Sequence, residues 1–356
     1  MIEYKGKLHE TVARFPDTDI WMDSCGEEEL NYGLERGIVG ATSNPIIVGS
    51  VIKNELSVWE KRIRELICEI PDALEDDIAW ELIHEIGRLR SKKLLPVFKK
   101  TNGKKGRLSI QTNAKFYRSK DKMVEQALVL NSLGENMQIK MPACKAGIEA
   151  MEEVTYRGVS VNATVSFTVA QAVAVAEAVE RGLKRREAEG LDVEQMSPIC
   201  TIMIGRTDDW MKQSASETGA VIMPEALEWA GVAVMKEAYR IYNQRGYRTR
   251  LLTAANRNQY HWSEFIGGNL AQTINYSWHK RLNACDVKVV SRIDNPVEEK
   301  YMTELNKLQE FKKSYDENGM KIEDFENYGG FKATLSTFIS GYDDLCKLIR
   351  KYMIEG

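Results

Sequence analysis

Short apolar runs alternate with longer amphipathic stretches along most of this 356-residue chain. The short runs have the length and residue types of buried strands. We predict strands over residues 19–24, 39–43, 107–113, 137–141, 159–164, 199–205, 250–255 and 271–276. The longer stretches repeat apolar residues at helical spacing. We predict helices over residues 28–36, 120–133, 145–157, 167–189, 224–244 and 261–268.

Eight predicted strands that alternate with helices indicate an α/β protein whose parallel sheet closes into a (β/α)8 TIM barrel. The alternative is an open doubly wound sheet. No Gly-x-Gly-x-x-Gly sequence follows a predicted strand, which weakens any dinucleotide-binding version of that alternative.

Two segments lie outside the strand–helix repeat. Residues 53–100 are charged and rich in helical patterns, and we predict a helical pair inserted after the second strand. Residues 301–356 follow the last strand and predict C-terminal helices that pack on the barrel. No Pro/Gly/Ser-rich linker divides the chain, so we expect residues 1–356 to form a single domain. The insert is compatible with a homodimer contact, although a barrel-covering role is the simpler expectation.

Composition excludes several classes of function. A net charge of −3 and the absence of a dense basic block argue against nucleic-acid binding. No apolar run reaches the roughly 18 residues that a membrane-spanning helix needs, and no signal pattern opens the chain, so a cytoplasmic location is expected. Six scattered cysteines and four histidines show no metal-ligand spacing, so we expect no metal site.

Lys140 is the most informative residue in the chain, because it interrupts an apolar strand of a sheet that is covered on both faces. Burial disfavours the ammonium form and lowers the pKa of a lysine. A neutral amine in an enclosed site can attack a carbonyl and form a Schiff base. The alternative is a lysine buried for structural reasons and paired with one carboxylate.

Other polar residues also fall at predicted strand ends, where TIM barrels carry their chemistry. They comprise Asp23, Gln111, Asn162, Thr164, Thr201, Arg206 and Arg257. This combination suits carbon–carbon bond chemistry on a polyol phosphate. It contains a lysine, a carboxylate that can move a proton, neutral hydrogen-bonding groups, and arginines, which bind phosphate as permanently charged forks. For Arg206 and Arg257 the alternative is a structural ion pair at the barrel rim.

The chain resembles the transaldolase family of class I, imine-forming aldolases. The similar segments are residues 21–24, 40–45, 138–143, 158–172, 204–210 and 254–258, and they occur in the family's order. The resemblance implies a TIM barrel that transfers a dihydroxyacetone unit between sugar phosphates, as in the pentose phosphate pathway. It implies no metal and no organic cofactor.

The same resemblance implies a role for each matching residue. Lys140 would form the Schiff base, and Asp23 would transfer the proton of the donor's C4 hydroxyl. Thr164 would hold the catalytic water. The expected substrate-binding residues are Asn44 and Asn162 for the dihydroxyacetone unit, Thr201 through its hydroxyl, and Arg206 and Arg257 for the phosphate.

Three positions depart from the family pattern. Gln111 stands where transaldolases commonly have glutamate. The related fructose-6-phosphate aldolases also have glutamine at this position, and a glutamine side chain can only orient water. Met203 replaces an aromatic residue, and Ala255 replaces a serine that often contacts phosphate. We therefore keep two alternatives to a transaldolase. One is a simple aldolase, on fructose 6-phosphate or an unusual sugar, and the other is a catalytically idle barrel with a binding role.

Overall fold

A closed, all-parallel, eight-stranded barrel forms the centre of the molecule in the computed structural model, which describes residues 3–355. The strands are β1 (Thr18–Met22), β2 (Gly40–Thr42), β3 (Arg107–Gln111), β4 (Met137–Pro142), β5 (Val161–Ser166), β6 (Ile199–Ile202), β7 (Arg250–Thr253) and β8 (Leu270–Ile274). Each strand pairs with the next, and β8 pairs with β1 over its full length. The predicted TIM barrel is confirmed, and this closure excludes the open doubly wound sheet.

Helices follow the strands and surround the barrel. They are α1 (Lys7–Arg14), α2 (Glu27–Leu34), α3 (Pro45–Asn54), α4 (Leu56–Glu69), α5 (Glu75–Lys100), α6 (Lys120–Asn131), α7 (Lys145–Tyr156), α8 (Val169–Ala188), α9 (Ile204–Thr218), α10 (Pro224–Leu227), α11 (Ala230–Arg245), α12 (Tyr260–Ser263), α13 (Tyr276–Asn283), α14 (Glu299–Leu305), α15 (Gln309–Tyr315) and α16 (Gly329–Glu355). No helix within residues 3–355 is long and apolar enough to cross a membrane.

The predicted element ends differ from the observed ones where a cap or a bulge intervenes. The sixth strand ends at Ile202 rather than at residue 205, because α9 begins at Ile204. The eighth strand ends before Asn275, whose side-chain oxygen accepts a hydrogen bond from Trp278 N and caps α13. The helix predicted over 224–244 is divided into α10 and α11, and the one predicted over 261–268 is limited to α12. Hydrophobic periodicity does not locate such breaks.

Strand β5 contains a bulge that the sequence did not reveal. Its pairing with β6 shifts register between Ala163 and Ser166, and Val165 within the bulge has a φ of 52°. A β-branched residue rarely adopts this left-handed conformation, so the surrounding contacts must hold it. Such bulges redirect side chains next to active sites, and Thr164 lies directly beside this one.

The predicted insert over residues 53–100 contains α4 and α5, so the helical pair is confirmed. Trp59, Ile63, Leu66 and Ile67 recur at helical spacing in this segment; the first three are buried and Ile67 is partly buried. Helix α5 covers β3 and β4, since a Cβ atom at Gly87 would contact the side chains of Ile110 and Met137. The segment therefore serves as barrel cover, while the homodimer contact stays a prediction.

The C-terminal helix α16 packs against the C-terminal end of the barrel. Its residue Gly341 contacts Ile46 at the start of α3, and its Tyr342 hydroxyl donates a 2.6 Å hydrogen bond to Asp76 of α5. Phe338 of the same helix is buried. The predicted C-terminal extension is thus confirmed, and it borders the strand ends directly. That residues 1–356 form one domain stays a prediction.

Candidate active site

A cavity of about 230 Å³ opens at the C-terminal ends of the barrel strands. Seven of the nine predicted site residues line it, namely Asp23, Asn44, Lys140, Thr164, Thr201, Arg206 and Arg257. Gln111 and Asn162 are buried at the same level of the barrel but behind this surface. The remaining lining includes apolar side chains such as Ile46, Met203 and Phe338. The polar groups thus face one enclosed space with an apolar wall.

Lys140 on β4 is 5% exposed, and its Nζ donates a 3.3 Å hydrogen bond to the carbonyl oxygen of Ser43. Among residues 3–355 no carboxylate lies within ion-pair distance of it, so the alternative of a structural ion pair receives no support. Burial lowers its pKa to about 8, although the negative charge of Asp23 acts in the opposite direction. About one amine in ten is then uncharged at pH 7.

Asp23 follows β1 and faces the same cavity. Thr42 donates a 2.7 Å hydrogen bond to Asp23 Oδ1, and the Thr42 and Thr273 hydroxyl oxygens are 2.6 Å apart. Because the Thr42 proton points to Asp23, Thr273 must donate to Thr42. Burial raises the pKa of Asp23, against the opposing influence of Lys140, Thr42 and Arg206. The carboxyl group is therefore suited to accept and return a proton.

Gln111 and Thr164 flank the strand that carries Lys140. Gln111 on β3 pairs in register with Lys140, and Thr164 on β5 pairs with Pro142. Gln111 Oε1 and Thr164 Oγ1 are both buried and have no hydrogen-bond partner within the described protein. Buried polar groups normally find a partner. Thr164, which lines the cavity, can therefore bind a substrate hydroxyl or a water molecule, and Gln111 Oε1 can bind a buried water molecule.

Asn162 is completely buried beneath the cavity surface. Its Nδ2 donates a 2.9 Å hydrogen bond to Ser109 Oγ, and its Oδ1 accepts a 2.6 Å hydrogen bond from the Thr201 hydroxyl. The structure thus places Thr201, rather than the amide behind it, at the cavity surface. Asn44 caps α3, since its Oδ1 accepts from Ile47 N, and this leaves its amide NH₂ free to contact a ligand.

Arg206 and Arg257 lie side by side at the mouth of the cavity. A Cβ atom at Gly205 would overlap the carbonyl oxygen of Ala255, so only glycine lets the two segments approach this closely. Arg206 donates a 3.3 Å hydrogen bond to Thr334 of α16, and its guanidinium lies 5.7 Å from the ring centre of Phe338. Burial, together with the charge of Arg257, lowers the pKa of Arg206.

Arg257 forms an ion pair with Asp209 of α9, with its Nη2 2.7 Å and its Nε 3.0 Å from Asp209 Oδ2. The Arg257 side chain is 37% exposed and that of Asp209 is 47% exposed. Exposed pairs of this kind contribute about 0–1 kcal/mol, so a phosphate dianion can compete for the guanidinium. The rim ion pair considered as an alternative is therefore present, and it is compatible with phosphate binding.

Several functional contacts were missed in the sequence. Thr334 and Phe338 had no recognisable signal, because each acts on a residue that is distant along the chain. Asp209 lies within the family-like segment 204–210, but its ion pair with Arg257 was not predicted. Phe338 supplies an aromatic side chain to the wall that also contains Met203, the residue after β6. An inward position on β8 could have suggested Thr273.

The fold and the cavity define a TIM-barrel protein with a polar cavity at the carboxyl ends of its strands, where enzymes of this fold carry their active sites. Residues 20–329 match the family described as Transaldolase/Fructose-6-phosphate aldolase, and the chain belongs to this family. The resemblance noted from individual motifs is thereby confirmed.

Curated relatives share a moderate fraction of the sequence. The chain is 28% identical over 240 residues to a transaldolase of Acidothermus cellulolyticus, covering 64% of this chain and 62% of that protein. It is 28% identical over 244 residues to a transaldolase of Thiobacillus denitrificans, covering 63% and 64%. It is 26% identical over 233 residues to a transaldolase of Mycobacterium tuberculosis, covering 63% and 62%. The chain thus spans less than two thirds of the length of these relatives.

Proposed function

We propose that this protein is a transaldolase that transfers a dihydroxyacetone unit between sugar phosphates through a Schiff base on Lys140. The observation that carries the proposal is the Lys140 amine, which is buried, faces the same cavity as Asp23 and has no carboxylate within ion-pair distance in the described part of the chain. Its lowered pKa provides the neutral nucleophile that imine formation requires. The relatives' names and the matching family support the same class of reaction.

The reaction would begin when the neutral Lys140 amine attacks the ketose carbonyl and water leaves, giving a protonated imine. Asp23 would then accept the proton of the C4 hydroxyl while the C3–C4 bond breaks and the iminium takes up the electron pair. The first aldehyde leaves, and an acceptor aldehyde adds to the bound three-carbon unit. Asp23 would return its proton to the new hydroxyl, and water would release the product from Lys140.

The remaining residues would hold the substrate during these steps. Arg206 and Arg257 would bind the phosphate, because both guanidiniums line the cavity and Arg206 has no ion-pair partner within residues 3–355. Thr201 and Asn44 would contact hydroxyl groups of the sugar, with Asn162 fixing the Thr201 hydroxyl from behind. Thr164 and Gln111 would bind the water that hydrolyses the imine.

Gln111 favours a second candidate, a simple aldolase similar to fructose-6-phosphate aldolase. A glutamine amide cannot accept a proton, so water at this position is oriented but not activated. The third candidate, an idle barrel, has less support. An idle site has no need for a buried amine without a partner, since burying an uncompensated charge is destabilising.

Trapping of the imine tests the proposal. The protein is mixed with fructose 6-phosphate and reduced with borohydride, and its intact mass is measured. We expect one adduct, which Lys140→Met removes and Lys105→Met retains, because Lys105 pairs with Asp19 at the opposite end of the barrel. The absence of an adduct, or its survival in Lys140→Met, would refute Schiff-base chemistry at this residue.

A second assay separates the two enzyme candidates. Free dihydroxyacetone released from fructose 6-phosphate is measured with and without an aldehyde acceptor. A transaldolase should release little without acceptor and should transfer the unit when acceptor is present. Release that does not depend on acceptor would instead identify a simple aldolase.

A further inference from the structure

A completely buried Asp208–His261 pair lies directly behind the two arginines at the cavity mouth. His261 Nε2 is 2.7 Å from Asp208 Oδ2, and both side chains are 0% exposed. Asp208 is two residues after Arg206 on α9, and His261 on α12 is four residues after Arg257. The pair therefore connects the two segments that carry the guanidiniums.

The hydrogen bonds around this pair fit one arrangement of protons. The backbone N–H of Arg257 donates a 3.1 Å hydrogen bond to His261 Nδ1, so Nδ1 carries no proton. The ring proton is then on Nε2 and points to Asp208. The other carboxylate oxygen, Asp208 Oδ1, accepts a 2.7 Å hydrogen bond from Gly231 N at the start of α11. Every group in this chain of contacts is satisfied.

The loop that carries Arg257 needs such support. Ala255, two residues earlier, has a φ of 66°, a left-handed conformation that is unfavourable for alanine. Residues in this region persist only where neighbouring contacts impose the conformation. Asn256 Nδ2 donates a 3.3 Å hydrogen bond to the His261 carbonyl oxygen, and the His261 ring holds the next N–H.

We infer that the Asp208–His261 pair is a positioning device, which fixes the Arg257 backbone against α9 so that Arg206 and Arg257 present one phosphate-binding site. This inference rests on the proposed function, since it assigns the two arginines to a sugar phosphate. Neither Asp208 nor His261 lines the cavity, so both act through Arg257 and not on the substrate.

Asp208→Asn provides the sharpest test, because it changes the proton arrangement and hardly changes the volume. The asparagine oxygen can keep the hydrogen bond from Gly231 N, so its NH₂ group then faces His261 Nε2. The ring proton must move to Nδ1, where it opposes the Arg257 N–H. A wrong histidine tautomer of this kind is known to disable a site without distorting it.

The expected result is a selective loss of phosphate recognition. We expect the KM for fructose 6-phosphate and the dissociation constant for inorganic phosphate to rise about 10- to 100-fold, the scale of one unsatisfied buried donor. Single-turnover cleavage of fructose, the same donor without its phosphate, should change less than about threefold. If activity on both donors falls equally, or if the folded variant binds phosphate as the wild type does, the pair only stabilises the fold.

Two further variants keep this test decisive. His261→Gln offers an oxygen to the Arg257 N–H and an NH₂ to Asp208, so it should bind phosphate more tightly than His261→Leu. Asn136→Ala is the matched control, because this buried amide donates to the Ser91 and Gly106 carbonyl oxygens at the opposite end of the barrel. Asn136→Ala should lower stability without changing the ratio of the activities on the phosphorylated and unphosphorylated donors. Equal phosphate affinity in His261→Gln and His261→Leu would overturn the inference.

Calorimetric titration with inorganic phosphate separates this inference from the proposed function. Phosphate binding does not require Lys140 chemistry, so it can be measured even if borohydride trapping gives no adduct. If trapping fails while Asp208→Asn still weakens phosphate binding, the proposed reaction is wrong and the positioning role stands. If trapping succeeds and phosphate binding is unchanged, the positioning role is wrong.

Discussion

Lys140 and Asp23 face one cavity from β4 and from the end of β1, and burial moves their two pKa values toward each other. It lowers the pKa of the amine to about 8 and raises that of the carboxyl. Their mutual attraction opposes both shifts, but the two groups are not in ion-pair contact. Groups with opposed perturbations of this kind identify the acid and base of an active site.

The first prediction concerns stability. Lys140→Met should abolish turnover but increase the free energy of unfolding at pH 7, by up to about 3 kcal/mol, because the wild-type protein buries an ammonium that has no ion-pair partner among residues 3–355. The folded-state pKa of about 8 lies below the ordinary 10.5, so the native amine loses its proton first as pH rises. The destabilisation of the folded protein by the buried ammonium is therefore at its maximum below pH 8 and declines toward pH 10.5.

Urea unfolding of the wild type and of this variant at pH 7 and pH 10 measures this difference. Lys105→Met is the control, since its ammonium pairs with Asp19 and its loss should destabilise the protein. A Lys140→Met protein that is less stable than the wild type at pH 7 would contradict the prediction.

The second prediction concerns the pH dependence of imine formation. Only the neutral amine attacks a carbonyl, so the rate of borohydride-trappable adduct formation should rise with pH, reach half its maximum near pH 8 and level off above that pH. Because the charge of Asp23 raises the pKa of Lys140, Asp23→Asn should move this rise to lower pH. Initial trapping rates between pH 6 and pH 9 measure both effects. A trapping rate that does not depend on pH, or whose pH dependence is the same in Asp23→Asn, would contradict the predicted influence of Asp23 on Lys140.

The third prediction separates imine formation from bond cleavage. Asp23→Asn should still form the adduct but should slow carbon–carbon cleavage by roughly 10²- to 10⁴-fold, the usual contribution of a general acid–base group. Thr42→Val removes the hydroxyl that binds Asp23 and Thr273 but leaves the Asp23 carboxylate in place, so it should have a smaller effect on cleavage. Single-turnover measurements with fructose 6-phosphate compare the two steps, and near-normal cleavage in Asp23→Asn would remove the residue from the mechanism.

The fourth prediction concerns the rim ion pair. Arg257→Ala should weaken binding of phosphorylated sugars far more than that of unphosphorylated ones. Asp209→Asn should have the opposite effect and strengthen phosphate binding about two- to fivefold, because it removes an exposed competitor for the same guanidinium. Dissociation constants for inorganic phosphate provide the measurement. If Asp209→Asn weakens phosphate binding, the carboxylate supports the arginine and does not compete with the ligand.

The sequence alone determined the barrel and the part of the site that belongs to single strands. All eight predicted strands exist, because a run buried on both faces has a pattern that needs no distant partner to be recognised. Lys140 stood out for the same reason, since a lysine in such a run requires an explanation. Because TIM barrels carry their chemistry at the ends of their strands, the sequence also predicted that Asp23, Thr201 and Arg206 face the same cavity, and they do.

Only the tertiary structure decided how deep each polar group lies and what it contacts. Strand parity separates lumen from exterior, but it does not show that Ser109 and Thr201 enclose Asn162 below the cavity surface. Periodicity in α16 predicted a packed helix, but not that Phe338 reaches the cavity beside Arg206. Local patterns record the environment of one element, whereas a site is assembled from contacts between elements that are distant along the chain.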